Sequence, residues 1–415
     1  MRTLYRLVAL GAALFTAGGC QAPSHSEAKQ LAEQRWKEVR AGVKLQLARQ
    51  QYEGRRFEDV VQSATESIAL DARRVEPYVL LAQASLELSK PASAEQALDA
   101  ARRAGLDSAD LHYMRGVIFE QRNDIQAAVD EFARARTMNP NKVEYVIAHA
   151  ECLVALDRPS EALVILDESL HRFDDNGTIA VLAGRVATLL GDWEGAASRL
   201  GQASVLLNSS PIVAEELGLL YVRIGRCEEA VALLRPLIES AGESESASVR
   251  RGIAACYLAL GVPALAKEVL IDYARLHVAD GPAQLVLAKA ALETNDLLTA
   301  ARAIDLAEQA APGRGETALV RAAVQWRRRE YGSAAETLYG LLERDPANVE
   351  AYCLLSEVLR SQGQADAARD CLERALQIDP SCTLARQALV YAKNRVEPLA
   401  SSAESSVSGA PAGGP

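Results

Sequence analysis

Apolar and polar positions along the chain follow a helical rhythm, and that rhythm recurs every 34 residues. With one two-residue slip near Glu243 to Ser246, repeats begin at Ala41, Val75, Ala109, Val143, Gly177, Pro211, Ala247, Gly281, Gly315 and Val349. The eighth position is small in all ten, from Ala48 and Ala82 through Gly116, Gly184 and Gly218 to Ser356. The twentieth is Ala in nine of ten, with Val60 the exception. The twenty-fourth is large and apolar in nine, from Leu98 and Phe132 to Leu372, with Ala64 the exception. Near the fifteenth stand turn or helix-stop residues: Ser89, Asn123, Asp157, Gly191, Gly225, Gly261, Asn295 and Gly363. Each repeat is therefore predicted to be two antiparallel helices. The small residues let them approach closely, and the large residue one turn later fills the space beside them. Pro140, Pro312, Pro346 and Pro380 fall between repeats, where a helix must end. One such hairpin cannot bury its apolar face alone, so neighbours must stack.

The flanks read differently. Arg2 and Arg6 precede an apolar core, Leu7 to Phe15, and the small run Ala17-Gly18-Gly19 meets Cys20. This is the layout of a secretory signal peptide over 1–19. The apolar stretch is shorter than the roughly 20 residues a bilayer span needs. Residues 20–40 read as a polar spacer and an extra helix, Glu27 to Val39, with Ser26 as its N-cap, expected to cover the first repeat. The repeats occupy 41–382, and a closing helix follows over 383–395. The Ser-, Ala-, Gly- and Pro-rich stretch 396–415 has little to bury and is expected to be a disordered tail.

Length alone, 415 residues, would suggest two or three ordinary domains; the repeats replace them with one solenoid. They also explain why 49% hydrophobic residues come with only 5% aromatic ones: the packing scheme uses Ala, Gly and Leu. The net charge is −10, and loss of Arg2 and Arg6 with the signal takes it to about −12, which argues against a nucleic-acid partner. No HExxH, phosphate loop, GxSxG or dinucleotide fingerprint occurs, and the five histidines stand singly. His112 and His149 occupy packing positions. No enzyme activity, cofactor, metal or small-molecule substrate is expected. Beyond Cys20 there are six cysteines without CxxC spacing. Cys353, Cys371 and Cys382 are close enough in the chain for a local disulfide in an exported protein, or serve as small buried packing residues.

The 34-residue pattern resembles the tetratricopeptide repeat over residues 41–382. The third repeat carries it best, with Gly116, Phe119, Asn123, Ala128, Phe132, Ala135 and Pro140; the sixth follows, with Leu217-Gly218, Tyr221, Gly225, Ala230 and Leu234. The fourth-position aromatic survives only as Tyr78 and Tyr352. The resemblance implies an all-α, right-handed α-solenoid of about ten helix-turn-helix repeats. It also implies a concave groove lined by positions two, five, nine, twelve and thirteen. Here those include Tyr113, Val117, Ile147, Val181, Leu219, Leu285, Leu319 and Trp326, with the basic Arg185, Arg223, Arg251, Lys289 and Arg327 in the later half. Acids gather earlier, at Glu87, Asp110, Glu120 and Glu151. Such a groove is expected to bind a segment of a partner protein. Asn at position nine, which the family's carboxylate clamp needs, and Asn at position six, which its sugar-transferase ladder needs, are both absent. The start of the chain resembles a bacterial lipoprotein signal, which implies acylation of Cys20 and anchoring in the cell envelope. Gln21 after that Cys leans towards the outer membrane, facing the periplasm. The expected role is a membrane-anchored scaffold in an assembly of the pilus, polysaccharide-export or outer-membrane-biogenesis type. The alternative is a regulatory adaptor that activates a periplasmic enzyme such as a cell-wall synthase or protease.

Overall fold

The computed structural model describes residues 25–208, 210–240 and 246–396, which form twenty-one helices and no strand. The expected signal peptide, Cys20, residues 243–245 of the frame slip and all but the first residue of the expected tail 396–415 lie outside the described residues. The chain divides into two compact units at residue 192. The first holds α1 (His25–Glu53), α2 (Phe57–Leu70), α3 (Glu76–Glu87), α4 (Pro91–Arg103), α5 (Ala109–Gln121), α6 (Ile125–Met138), α7 (Val143–Ala155), α8 (Pro159–Leu170) and α9 (Gly177–Leu189). The second begins with α10 (Trp193–Leu206), α11 (Pro211–Arg223), α12 (Cys227–Ser240), α13 (Ala247–Ala259), α14 (Pro263–Leu276) and α15 (Gly281–Glu293). It ends with α16 (Leu297–Ala310), α17 (Gly315–Arg327), α18 (Tyr331–Arg344), α19 (Val349–Ser361), α20 (Ala365–Ile378) and α21 (Thr383–Val396). From the third repeat onward every first helix begins on the first residue of the sequence frame.

The hairpin turns share one device. The fifteenth residue of every repeat has positive φ, from Arg55 at 56° to Gly363 at 82°. One residue later, each backbone N–H reaches back five residues into the preceding helix, as Lys90 does to Ser85 at 2.8 Å and Asp296 to Ala291 at 2.8 Å. This left-handed closure satisfies the last carbonyls of the first helix. Gly, Asn and Asp adopt it readily; Arg55 and Arg329 do so against their preference. Side-chain caps begin several helices: Ser108, Asp124, Asn176, Asp280, Asp296 and Asn348 each accept a backbone N–H three residues on.

The three packing positions are the core. Ala48, Ala82, Ala150, Ala254, Ala288 and Ala322 at position eight are fully buried, as is position twenty from Val60 to Ala334. Position twenty-four is at most 5% exposed throughout. In the first repeat the two exceptions compensate, a larger Val60 one turn before a smaller Ala64 on α2, both at 0%. Gly116 is demanded by its partner, since a Cβ there would sit 2.5 Å from the Phe132 ring. A Cβ at Gly218 would meet Leu234 at the same distance. Leu is matched to Ala elsewhere at these positions, so Leu234 has rotamers that make room; a flat ring has none.

One expectation is corrected. Residues 27–39 do not fold back as a cap. They are the first half of α1, continuous with the first helix of repeat one, and residues 25–37 are exposed throughout. No helix break lies between Val39 and Ala41: the 29-residue helix runs past Val39, where the extra helix was expected to end. The closing helix is present as α21, and its buried Ala385 packs with Leu372 and Ala375 of α20.

Candidate functional site

First helices of successive repeats touch, α1 to α3 to α5 and α7 to α9 in the first unit, and α11 through α19 in the second. Their outward positions form a face in each unit, and this is where the sequence placed its binding residues.

In the first unit the face is built around Tyr113. Its ring packs against Phe132 at 5.5 Å and Tyr145 at 5.0 Å. Val117 and Ile147 lie half-buried on the same cluster. Tyr145 is 1% exposed, and its hydroxyl donates to Asp110 at 2.7 Å. Lys142 reaches the same carboxylate at 2.7 Å. Burial pushes Asp110 up, but these two bonds outweigh it and hold the carboxyl below the usual carboxylate range. Asp110 is therefore engaged. Glu87, Glu120, Glu144 and Glu151 are exposed, and among the described residues none is in an ion pair. Burial, with the neighbouring Glu120, holds the Glu151 carboxyl above its ordinary value. Burial also pushes the Cys152 thiol up to about 11, with Glu120 and Glu151 adding to it. The Tyr113 hydroxyl is raised by burial and then by Glu144, Glu120 and Glu151. The face is thus a half-buried apolar floor ringed by uncompensated carboxylates.

The repeat register explains the missing cations. Position nine of one repeat reaches position two of the next: Arg49 pairs with Glu76, and Lys289 with Glu316 at 2.5 Å. At the equivalent step from the third repeat to the fourth, position nine is Val117, so Glu144 has no counter-charge. Glu144 was missed in the sequence reading, although its position two was legible in the same frame.

In the second unit the predicted residues meet a different fate. Leu219 and Val222 close over Gly252, where a Cβ would lie 3.4 and 3.1 Å from them. Leu285 is buried at 5%, and Leu319 and Trp326 pack on the core of the last repeats. The basic groups are occupied. Arg251 donates to Asp280 at 3.0 Å, and Asp280 also accepts from Tyr273 at 2.9 Å and caps α15. Arg223 stacks 4.0 Å over the Trp193 ring, and Arg327 lies 5.8 Å from Trp326, whose indole N–H donates to Ser361 at 3.0 Å. Of the remaining predicted pair in the first unit, Val181 is buried at 8% and Arg185 is exposed.

The other candidates resolve structurally. His112 is held between Glu131 at 2.6 Å and Asp107 at 2.8 Å. His149 is buried, its Nδ1 lacks a partner, and burial with Arg136 and Arg158 nearby lowers its pKa to about 4. The six described cysteines are free thiols. Cys353 and Cys382 share one small cluster, whereas Cys371 packs on another. Burial and the neighbouring Cys382 push the Cys353 thiol up to about 12. Among the described residues no group of three His, Cys, Asp or Glu is placed to hold a metal ion, and no helix is long and apolar enough to cross a membrane.

Stacked helical hairpins with a common packing code and a shared first-helix face define a helical-repeat scaffold. Two models, each described as tetratricopeptide repeat, match residues 79–142 with 215–270, and 325–390. The chain is a tetratricopeptide-repeat protein. It is similar to the TPR repeat-containing protein YpiA of Bacillus subtilis, 20% identical over 283 residues. That match covers 68% of this chain and 66% of the relative, so the chain spans just under two thirds of that protein's length. Among solved structures, the APC/C hetero-tetramer Cut9-Hcn1 is 12% identical, covers 84% of this chain and 95% of that one, and has a TM-score of 0.46. A tetratricopeptide repeat protein from Parabacteroides merdae is 13% identical, covers 69% and 99%, and has a TM-score of 0.35.

Proposed function

We propose that the protein is a lipid-anchored envelope scaffold whose first-unit face captures a partner segment carrying both apolar and basic side chains. The carrying observation is the ring of unpaired Glu120, Glu144 and Glu151 around Tyr113, Val117 and Ile147. Burial raises the Glu151 carboxyl first, and repulsion from Glu120 adds to it. A Lys- or Arg-bearing segment would relieve that repulsion while its apolar residues cover the floor. Cys20, after Ala17-Gly18-Gly19, would carry the acyl chains, and two or more such chains hold a folded domain on a membrane.

Supplying the missing cation from within is the direct test. Val117→Lys places a Lys at position nine, where Lys289 already pairs with its neighbour's acid. It should leave stability within about 0.5 kcal/mol and abolish partner capture. Retained capture would refute the charge-based reading. The anchor has its own test: detergent partitioning of wild type against Cys20→Ser, with equal aqueous partitioning counting against acylation.

A further inference from the structure

The first half of α1 carries a face that nothing among the described residues covers. Ala28, Leu31, Ala32, Arg35, Trp36 and Val39 line one shallow surface depression. Trp36 is 63% exposed, Val39 58% and Val43 64%. At 3.6 residues per turn, Ala28, Ala32, Trp36, Val39 and Val43 fall within about 80° of one another. The residues of α1 that pack on the repeats, Ala41, Leu45 and Ala48, lie on the opposite side of the helix. The stripe therefore points away from the solenoid. Its flanks are basic: Lys29 and Arg40 border one edge and Arg35 the other, all exposed and none in an ion pair among the described residues. Lys37 lies further round, with Glu33 between it and Arg40. Glu38 lies towards the packed side, where it binds Arg73 at 2.7 Å.

We propose that this stripe rests on a membrane surface bearing anionic headgroups. An aromatic and aliphatic strip edged by Lys and Arg matches the headgroup boundary: Trp36 sits at the interface, and the long cations reach up to phosphate. The charge is complementary to anionic lipid and contrasts with the acidic remainder of the chain. A second copy fits less well. Pairing two stripes would line Lys29, Arg35 and Arg40 of both copies along one seam, with Glu33 the lone acid beside it. The helix follows within a few residues of Cys20. It would lay the first repeat beside the bilayer that the acyl chains enter, and to that extent the proposal rests on the envelope reading.

The test removes acylation, so the two ideas fail separately. Mature-length protein, from residue 20 with Cys20→Ser, is floated with vesicles of phosphatidylcholine alone and of phosphatidylcholine with phosphatidylglycerol. It should bind the anionic vesicles more tightly, and added salt should weaken that binding. Trp36→Glu with Val39→Glu should lower it about tenfold without changing the circular dichroism spectrum. Equal partitioning of wild type and variant, or no binding to either vesicle, would overturn the proposal. So would a dimer in light scattering that the variant breaks while vesicles are ignored. Acylation itself is read separately, from the mass of the N-terminal peptide of cell-derived protein.

Discussion

Around Tyr113 the first unit puts these frame positions to a different use from the second, although its own first step, Arg49 to Glu76, closes as Lys289 to Glu316 does. In the second, Arg251, Lys289 and Arg223 are tied to Asp280, Glu316 and Trp193, and Leu219 and Leu285 sink into the packing between first helices. In the first, Glu120, Glu144 and Glu151 stand unpaired round a half-buried aromatic floor. A position that faces the family groove is thus not automatically a binding position. When position nine and the next position two carry opposite charges, they close on each other and serve cohesion. When one member is apolar, as Val117 is beside Glu144, the other is left without a counter-charge.

That contrast predicts a ladder of stability effects. The shared core sets the upper end. Phe132→Ala should cost about 3–5 kcal/mol in chemical denaturation, because the ring is fully buried against Gly116. Next comes the second-unit network. Asp280→Ala removes the partner of Arg251 and Tyr273 and the cap of α15 together, a loss of about 2 kcal/mol. Burial works against the Asp280 charge, but the Ala283 N–H, Tyr273 and Arg251 outweigh it and hold its pKa low. The contribution of that shift is therefore present at neutral pH and fades as pH falls through its lowered value. In the first unit, Glu151→Gln should do the reverse, leaving stability unchanged or raising it by up to about 0.5 kcal/mol. If Glu151→Gln destabilised as much as Asp280→Ala, the distinction between the two faces would be lost.

A pH series separates the core from both faces. His149 has a folded pKa of about 4 against an ordinary 6.5. Below 6.5 the unfolded chain takes up a proton that the folded chain refuses. Stability should therefore fall between about pH 6.5 and 4, by on the order of 3 kcal/mol. His149→Phe should flatten that slope in urea titrations at stepped pH. A slope unchanged by the substitution would place the acid sensitivity elsewhere. At the small end, Arg329→Gly should stabilise by about 1 kcal/mol, because the left-handed turn costs Arg what it does not cost Gly.

Much of this was legible in the sequence, because a repeat states its packing code many times. Positions eight, twenty and twenty-four gave the buried core residue by residue, and the turn position was readable wherever Gly, Asn, Asp or Ser held it. Arg55 and Arg329 were hidden, since neither residue type signals a left-handed turn; only the frame places them there. The continuity of α1 was hidden too. Nothing between Val39 and Ala41 stops a helix, and a cap was inferred from the need to cover an apolar face. The ion pairs that link one repeat to the next were the least legible. Their partners lie 27 or more residues apart, and only the stacking of one first helix on the next brings Lys289 to Glu316 or Arg251 to Asp280. The apolar strip was overcounted for the same reason: first helices pack on one another, and residues assigned to a surface become core.

The central claim is that partner proteins dock on the first-helix face of the first unit. Site-specific photo-crosslinking in cells tests it most directly, with the crosslinker at Val117 or Ile147 and, as a control, at the exposed Gln126 or Asp130 of α6. The account predicts one discrete adduct from 117 and 147, none from 126 and 130, and loss of that adduct when Glu120→Lys and Glu151→Lys are added. Adducts that arise equally from α6, or that survive both charge reversals, would contradict it.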